Sequence, residues 1–344
     1  MPPSIVILAG GVGGSKFVLG VREHARRAWP DGAGGTTARI TVIANTGDDA
    51  WVSGVRIQPD IDSLIYALAG VNDIERGWGR AGETERVSAE LRELGAGWPW
   101  FTLGDLDLGT HVARTGWLRD GMPVHAVVAR LAARWPIGVE LLPMTDAEVD
   151  TRVIVSAPEA SESLTASAAG EGRVGIHFQE WWTRYRAGIP ALAFEQPGIA
   201  EATPAPGVVE AIAAADVILV APSNPVVSIG PILAVPGIAD AVRQARGPVV
   251  GVSPIIGGRV VRGMADACLS TIGVETAADA VGRLYGARPD GLLDAWLIAE
   301  EDAGLADSLT AEGPRVHVEP LWMRDLDASS ALAAAALRAA GVGG

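Results

Sequence analysis

The feature that most constrains this chain lies at its start. Ile5-Val6-Ile7-Leu8-Ala9 is an unbroken β-branched and apolar run, as a parallel strand buried on both faces requires. Gly10-Gly11-Val12-Gly13-Gly14 follows at once, and Lys16-Phe17-Val18-Leu19-Gly20-Val21 begins a helical pattern. Strand, glycine turn and helix in immediate succession open a doubly wound α/β sheet. A second buried strand, Ile40-Thr41-Val42-Ile43-Ala44, runs into Asn45-Thr46-Gly47-Asp48-Asp49. The pattern resumes later, with helices expected at 208–215 and 238–244 and strands at 217–220 and 249–252.

Between these stretches the texture differs. Over 61–134 helical periodicity dominates, as in 87–94 and 126–134, with Trp78, Trp98 and Trp100 between. The expected organisation is therefore a Rossmann-like core, 1–60 and 140–344, with a mainly parallel sheet and a smaller, largely helical insertion, 61–139, covering the site. Strand-like runs stand at 152–156 and 175–178. A surface hairpin or loop is expected at 157–172, a connection at 191–206, and an alanine-rich helix at 329–340.

Composition narrows the function classes. The single cysteine, Cys268, excludes a disulfide framework and a cysteine-rich metal site. No positive charge precedes the first apolar run, and no apolar stretch reaches membrane-spanning length, so a cytoplasmic protein with no membrane partner is expected. A net charge of −14 argues against coating nucleic acid but is compatible with a small nucleotide held by a metal ion and backbone amides. Lys16 is the only lysine.

Five constellations could carry chemistry. Gly11, Gly13 and Gly14, with Lys16 beside them, form a natural phosphate cradle at a helix start, although the spacing is neither a Walker A loop nor a complete G-x-G-x-x-G. Asp48 and Asp49 after the second strand, with Asp60 and Asp62 beyond, suit a hard cation such as Mg²⁺ that bridges to a substrate phosphate. If extended, Asp60 and Asp62 face the same way; at a helix start, one of them caps the helix and the other points inward. His111 and Arg114, downstream of Leu103-Gly104-Asp105, share a helix face where they could meet phosphate. Ser223, Asn224 and Ser253 follow buried strands and offer neutral hydrogen bonds suited to a base or sugar. His177-Phe178-Gln179-Glu180-Trp181-Trp182, with Arg184, Tyr185 and Arg186, could stack on a flat ring or pack a domain interface.

Taken together, these motifs resemble the 2-phospho-L-lactate transferases that build the deazaflavin coenzyme F(420). The resemblance runs in order through Ala9 to Gly14, Asn45 to Asp49, Pro59-Asp60-Ile61-Asp62, Leu103-Gly104-Asp105, Leu142-Pro143-Met144-Thr145-Asp146, His177 to Glu180, Pro222-Ser223-Asn224-Pro225 and Ser253-Pro254-Ile255-Ile256-Gly257. Arg76-Gly77-Trp78-Gly79 and Trp181 to Arg186 look like the actinobacterial branch.

The resemblance implies a metal-dependent transfer. The ribityl hydroxyl of 7,8-didemethyl-8-hydroxy-5-deazariboflavin attacks the β-phosphorus of a guanosine diphosphate derivative. GMP leaves, and a phosphodiester to lactate or enolpyruvate forms. By the same analogy Asp62 and Thr102 lie where the family binds deazaflavin; archaeal relatives often carry a basic residue where Thr102 stands. Asp48 and Asp62 are then the expected Mg²⁺ ligands. Asp49 or Asp60 would orient the metal's waters or accept the proton. The glycine loop would hold the diphosphate, Asn45 is expected among the substrate-binding residues, Asn224 and Ser253 would contact guanosine, and a homodimer is expected. Two other readings predict different behaviour: a nicotinamide-dependent oxidoreductase needs no metal, and a nucleotide-binding regulator binds no deazaflavin.

Overall fold

The computed structural model describes residues 2–343. Seven strands form the central sheet: β1 (Ser4–Ala9), β2 (Arg39–Ala44), β3 (Glu140–Pro143), β4 (Val217–Val220), β5 (Val249–Val252), β6 (Ala295–Ala299) and β7 (Arg315–Glu319). Their spatial order is β7-β6-β5-β4-β1-β2-β3, and every pairing is parallel. The order reverses between β1 and β4, and ligands of open α/β sheets bind at the carboxyl ends of strands at such a switch point.

The apolar runs form this sheet because both of its faces are buried. Ile5, Ile7 and Ala9 pack into one apolar cluster, and Val6 and Leu8 into the cluster on the opposite face. The same alternation divides Val217 and Leu219 from Ile218 and Val220. Helix α1 (Gly11–Ala28) packs on the first face beside α4 (Leu326–Ala339). A Cβ on Gly20 would lie 2.2 Å from the Ser329 carbonyl, so this glycine lets the two helices touch. Helix α4 begins before the expected 329 because the Asp325 side chain accepts a hydrogen bond from the Ala328 amide and caps it.

Between β2 and β3 the chain makes a hairpin, Ala50–Val52 with Val55–Ile57, and then helices including α2 (Pro59–Ala69) and α3 (Asp105–Arg119). Between β3 and β4 it departs from the doubly wound pattern again. Ser167–Ala168, Arg173–His177, Arg152–Ser156 and Ala193–Glu195 make a four-stranded antiparallel sheet over its own core, which includes Val153, Ile176 and Trp181. The segment read as a plain connection thus contributes an edge strand: three residues are too few to show a period, and pairing with Arg152–Ile154 makes them a strand. Among the described residues no single helix is long and apolar enough to cross a membrane.

Candidate active site

A cavity of about 690 Å³ opens at the switch point. Gly11, Val12, Gly13 and Lys16 line it from the first turn of α1, and Pro222, Ser223 and Asn224 from the loop after β4. Helix α1 starts at Gly11 with no cap from its own N-cap residue and no acidic residue in its first turn; the Gly11 amide is taken by Asp60, and the amides that follow it face the cavity end open to an anion. The glycines are needed here for contact with the protein itself. A Cβ on Gly13 would lie 2.8 Å from the Pro222 carbonyl, and one on Gly14 2.6 Å from Ser223 Oγ. Ser223 closes the junction by donating to the Gly10 carbonyl at 2.7 Å and accepting from the Gly10 amide at 3.1 Å.

The two aspartates of α2 part company. Pro59 opens the helix and Gln58 stands at its cap without a side-chain cap bond, so neither aspartate caps, contrary to expectation. Residues two apart on a helix point about 200° apart. Asp60 turns to the glycine loop, accepting from the Gly11 amide, the Ser228 hydroxyl and Asn45 Nδ2, the last at 2.9 Å. Asp62 turns to α3 and pairs with the wholly buried Arg114.

Asn45 does not reach the cavity; it organises the groups that do. Its amide nitrogen lies 2.9 Å from Asp48, 2.9 Å from Asp60 and 3.2 Å from the Val227 carbonyl. Burial drives the Asp48 carboxyl well above the usual carboxylate range, and the nearby Asp60 charge adds to it. Burial also pushes Asp60 up to about 6, against the hydrogen bonds it accepts. Two desolvated carboxylates tied to one neutral amide lack a countercharge, and Asp48 faces the cavity. This donor set fits a hard divalent cation at Asp48. Asp62 fits less simply, because one of its oxygens is already committed to Arg114.

Behind Asp62 runs a hydrogen-bonded ladder. Arg114 donates to His111 Nδ1 at 2.9 Å and to the Arg56 carbonyl at 3.2 Å. A guanidinium can only donate, so Nδ1 accepts and the ring proton sits on Nε2, which faces Asp107 at 3.3 Å. Tyr66 donates to Asp107 at 2.7 Å. Burial raises the Asp107 carboxyl, but the bonds from His111 and Tyr66 outweigh it and hold the group below its ordinary range. Asp62, Asp107 and His111 lie close enough to share a metal ion, yet Arg114 already supplies the positive charge there and occupies His111 Nδ1.

Other expected site residues are placed as follows. Thr102 and His111 line the cavity with Asp62. Asp49 does not: it accepts from Gln58 at 2.7 Å, lies 3.6 Å from Arg56, and borders a separate cavity of about 280 Å³. Asn224 and Ser253 both border the main cavity but spend their oxygens locally. Asn224 accepts from the Val226 and Val227 amides, and Ser253 Oγ donates to the Ile255 carbonyl and accepts from its amide. Cys268 is buried, its thiol pushed up to about 12 by burial, which suits packing and not nucleophilic attack.

The aromatic constellation splits. Trp181 is core and donates to the Ile189 carbonyl, and His177 is buried with Nε2 donating to the Asp49 carbonyl. Phe178 and Trp182 join Tyr66, Trp78, Trp100 and Phe101 along the cavity wall. Sequence reasoning missed Tyr66, Arg262 and the 321–324 segment as parts of this cavity. The spacing of Asp107, His111 and Arg114 along one helix face carried the local signal for the ladder.

Comparison with known proteins shows the family and the fold. The sequence profile of the family described as 2-phospho-L-lactate transferase CofD matches residues 5–328. The chain is 50% identical over 343 residues to the phosphoenolpyruvate transferase of Nocardia farcinica, covering 99% of this chain and 96% of that one. It is likewise 50% identical to the phosphoenolpyruvate transferase of Thermobifida fusca, covering 97% and 96%. A solved structure of a UPF0052 family protein from Bacillus halodurans superposes with a TM-score of 0.55 at 16% identity, covering 98% and 99% of the two chains, which shows a shared fold.

Proposed function

The chain belongs to the 2-phospho-L-lactate transferase CofD family and is a transferase of coenzyme F(420) biosynthesis, and from that premise we propose how its cavity performs the transfer. The donor is the guanosine diphosphate derivative of phosphoenolpyruvate, as the names of its actinobacterial relatives suggest, with 2-phospho-L-lactate as the alternative group. The acceptor is 7,8-didemethyl-8-hydroxy-5-deazariboflavin, and GMP is released. The observation that carries this reading is convergence: Asp48, Asp62 and the first turn of α1 meet in one cavity whose far wall is aromatic.

In-line transfer to a phosphorus centre depends on positioning and charge neutralisation more than on covalent help from the protein. The α1 amides and Lys16 hold the diphosphate. The aromatic wall stacks on the deazaflavin ring. Asp62, held in place by Arg114, accepts a hydrogen bond from the ribityl hydroxyl and orients it towards the phosphorus. Asp48, with Asp62 beside it, would hold Mg²⁺, which would supply charge withdrawal from the diphosphate and a lowered pKa at the attacking hydroxyl. Asp60 and Asn45 position Asp48 and the glycine loop. We place the enzyme in the cytoplasm as a homodimer, without nucleic-acid or membrane partners. Neither a nicotinamide-dependent oxidoreductase nor a non-catalytic regulator finds support in the family assignment.

The test is direct. Purified protein is mixed with the deazaflavin, Mg²⁺ and each guanylylated donor in turn, and GMP and the new phosphodiester are sought by mass spectrometry. Product from the phosphoenolpyruvate donor supports the reading. Full turnover in excess chelator would remove the metal role, and absence of product with both donors would refute the transfer itself.

A further inference from the structure

We propose that Arg262 recognises the carboxylate of the donor, an inference that rests on the transferase reading above. Lys16, Arg262 and Arg324 line the cavity, and none has a carboxylate within salt-bridge distance among the described residues. They come from three separate elements, and their surroundings differ. Lys16 stands in the first turn of α1, beside the amides that take the diphosphate. Arg324 lies over the Trp322 ring, 5.9 Å from its centroid, and within electrostatic reach of Glu301, whose carboxyl is held down first by the Trp322 hydrogen bond and also by Arg324. Arg262 has no such acid. Its one hydrogen bond goes to the Arg76 carbonyl at 3.3 Å.

Arg262 is solvent-exposed, and its guanidinium lies against the backbone of Gly77. A Cβ on Gly77, whose φ is +75°, would lie 2.1 Å from Arg262 Nη2 and 2.4 Å from Nη1. Gly77 carries no side chain to compete for that space, and its positive φ itself favours glycine. On the other side a Cβ on Gly263 would lie 3.9 Å from the Trp182 ring. The guanidinium therefore bridges the segment after β2 and the segment after β5 at the aromatic end of the cavity, where the acceptor ring stacks and the transferred group is delivered. In either donor the transferred group carries a carboxylate on the carbon that bears the phosphate oxygen. A planar carboxylate matches the fixed fork of an arginine, with two parallel hydrogen bonds that a lysine cannot reproduce. The diphosphate already has Lys16 and the α1 amides. The carboxylate is the remaining anion, and Arg262 the remaining uncompensated cation at that end.

The experiment compares two donors across three proteins. Steady-state kinetics are measured with the guanylylated phosphoenolpyruvate and with its carboxamide analogue, on wild type, Arg262→Gln and Arg262→Lys. Loss of a hydrogen-bonded charge pair predicts a rise in donor KM of roughly 10- to 100-fold for Arg262→Gln, with kcat changed only a few-fold. Arg262→Lys recovers part of the loss. The carboxamide donor is poor with wild type and no poorer with Arg262→Gln. Equal losses with both donors, or an unchanged KM while wild type still rejects the carboxamide, would overturn the assignment and place carboxylate recognition elsewhere. Wild type inert towards both donors would refute the transferase reading itself, and this inference with it.

Discussion

Asp60 offers the sharpest test of how the site is assembled. Its carboxyl is wholly buried, and burial lifts it from an ordinary value of 3.8 to about 6. The folded protein thus holds this proton more tightly than the unfolded chain does. Asp60 contributes most to stability below about pH 3.8, and that contribution is lost as pH rises through about 6. An interval from 3.8 to about 6, at about 1.4 kcal/mol per pH unit, amounts to about 3 kcal/mol. Asp60→Asn keeps the shape and removes the titration. It also relieves Asp48 of a neighbouring charge, which acts in the same direction. Urea unfolding of wild type and variant between pH 4 and pH 8 reads the difference directly. Wild type should lose up to about 3 kcal/mol relative to the variant across that range, and saturating Mg²⁺ should flatten the slope by supplying the missing countercharge. A difference that stays constant with pH, or a wild type that gains on the variant as pH rises, would refute the picture of a desolvated, uncompensated carboxylate.

Three further outcomes follow from the same geometry. Arg114→Met leaves Asp62 charged, buried and unpaired, and should cost about 3–5 kcal/mol in urea unfolding, whereas the double variant Asp62→Leu with Arg114→Met should recover much of that stability and none of the turnover. Asp49→Asn should keep kcat/KM within roughly 10-fold of wild type while lowering stability by about 1–3 kcal/mol, because Asp49 pairs with Arg56 outside the main cavity; a loss as deep as that of Asp62→Asn would return Asp49 to the reaction. Gly13→Ala brings a Cβ to 2.8 Å from the Pro222 carbonyl, a backbone atom that cannot rotate away, and should cost about 1–3 kcal/mol and raise donor KM, as thermal melts and steady-state kinetics would show.

Much of this was legible in the amino-acid order alone. Strands that are apolar at every position must be buried on both faces, and only a parallel sheet with helices on each side does that. The glycine turn after β1 and the polar loops after β2, β4 and β5 had then to converge, because carboxyl ends of parallel strands share one edge. Local order also marked α1, α2 and the segment carrying His111. It did not tell which way a side chain would face. Asp60 and Asp62 separated because the helix begins at Pro59 and rotates each residue by about 100°, a matter of where the first turn locks. Asp48 and Asp49 separated because Asp48 sits within a turn that the Asp49 amide closes on the Thr46 carbonyl, sending one to the cavity and the other to Arg56. Asn45, Asn224 and Ser253 looked like ligand contacts by type, and hydrogen bonds to atoms of the protein's own turns claimed most of their capacity. Tyr66 and Arg262 joined the site across 41 and 186 positions of sequence, through the Asp107 carboxylate and the Arg76 carbonyl. Such separations carry no periodicity, and only the packing of the insertion against the sheet brings them within bonding distance.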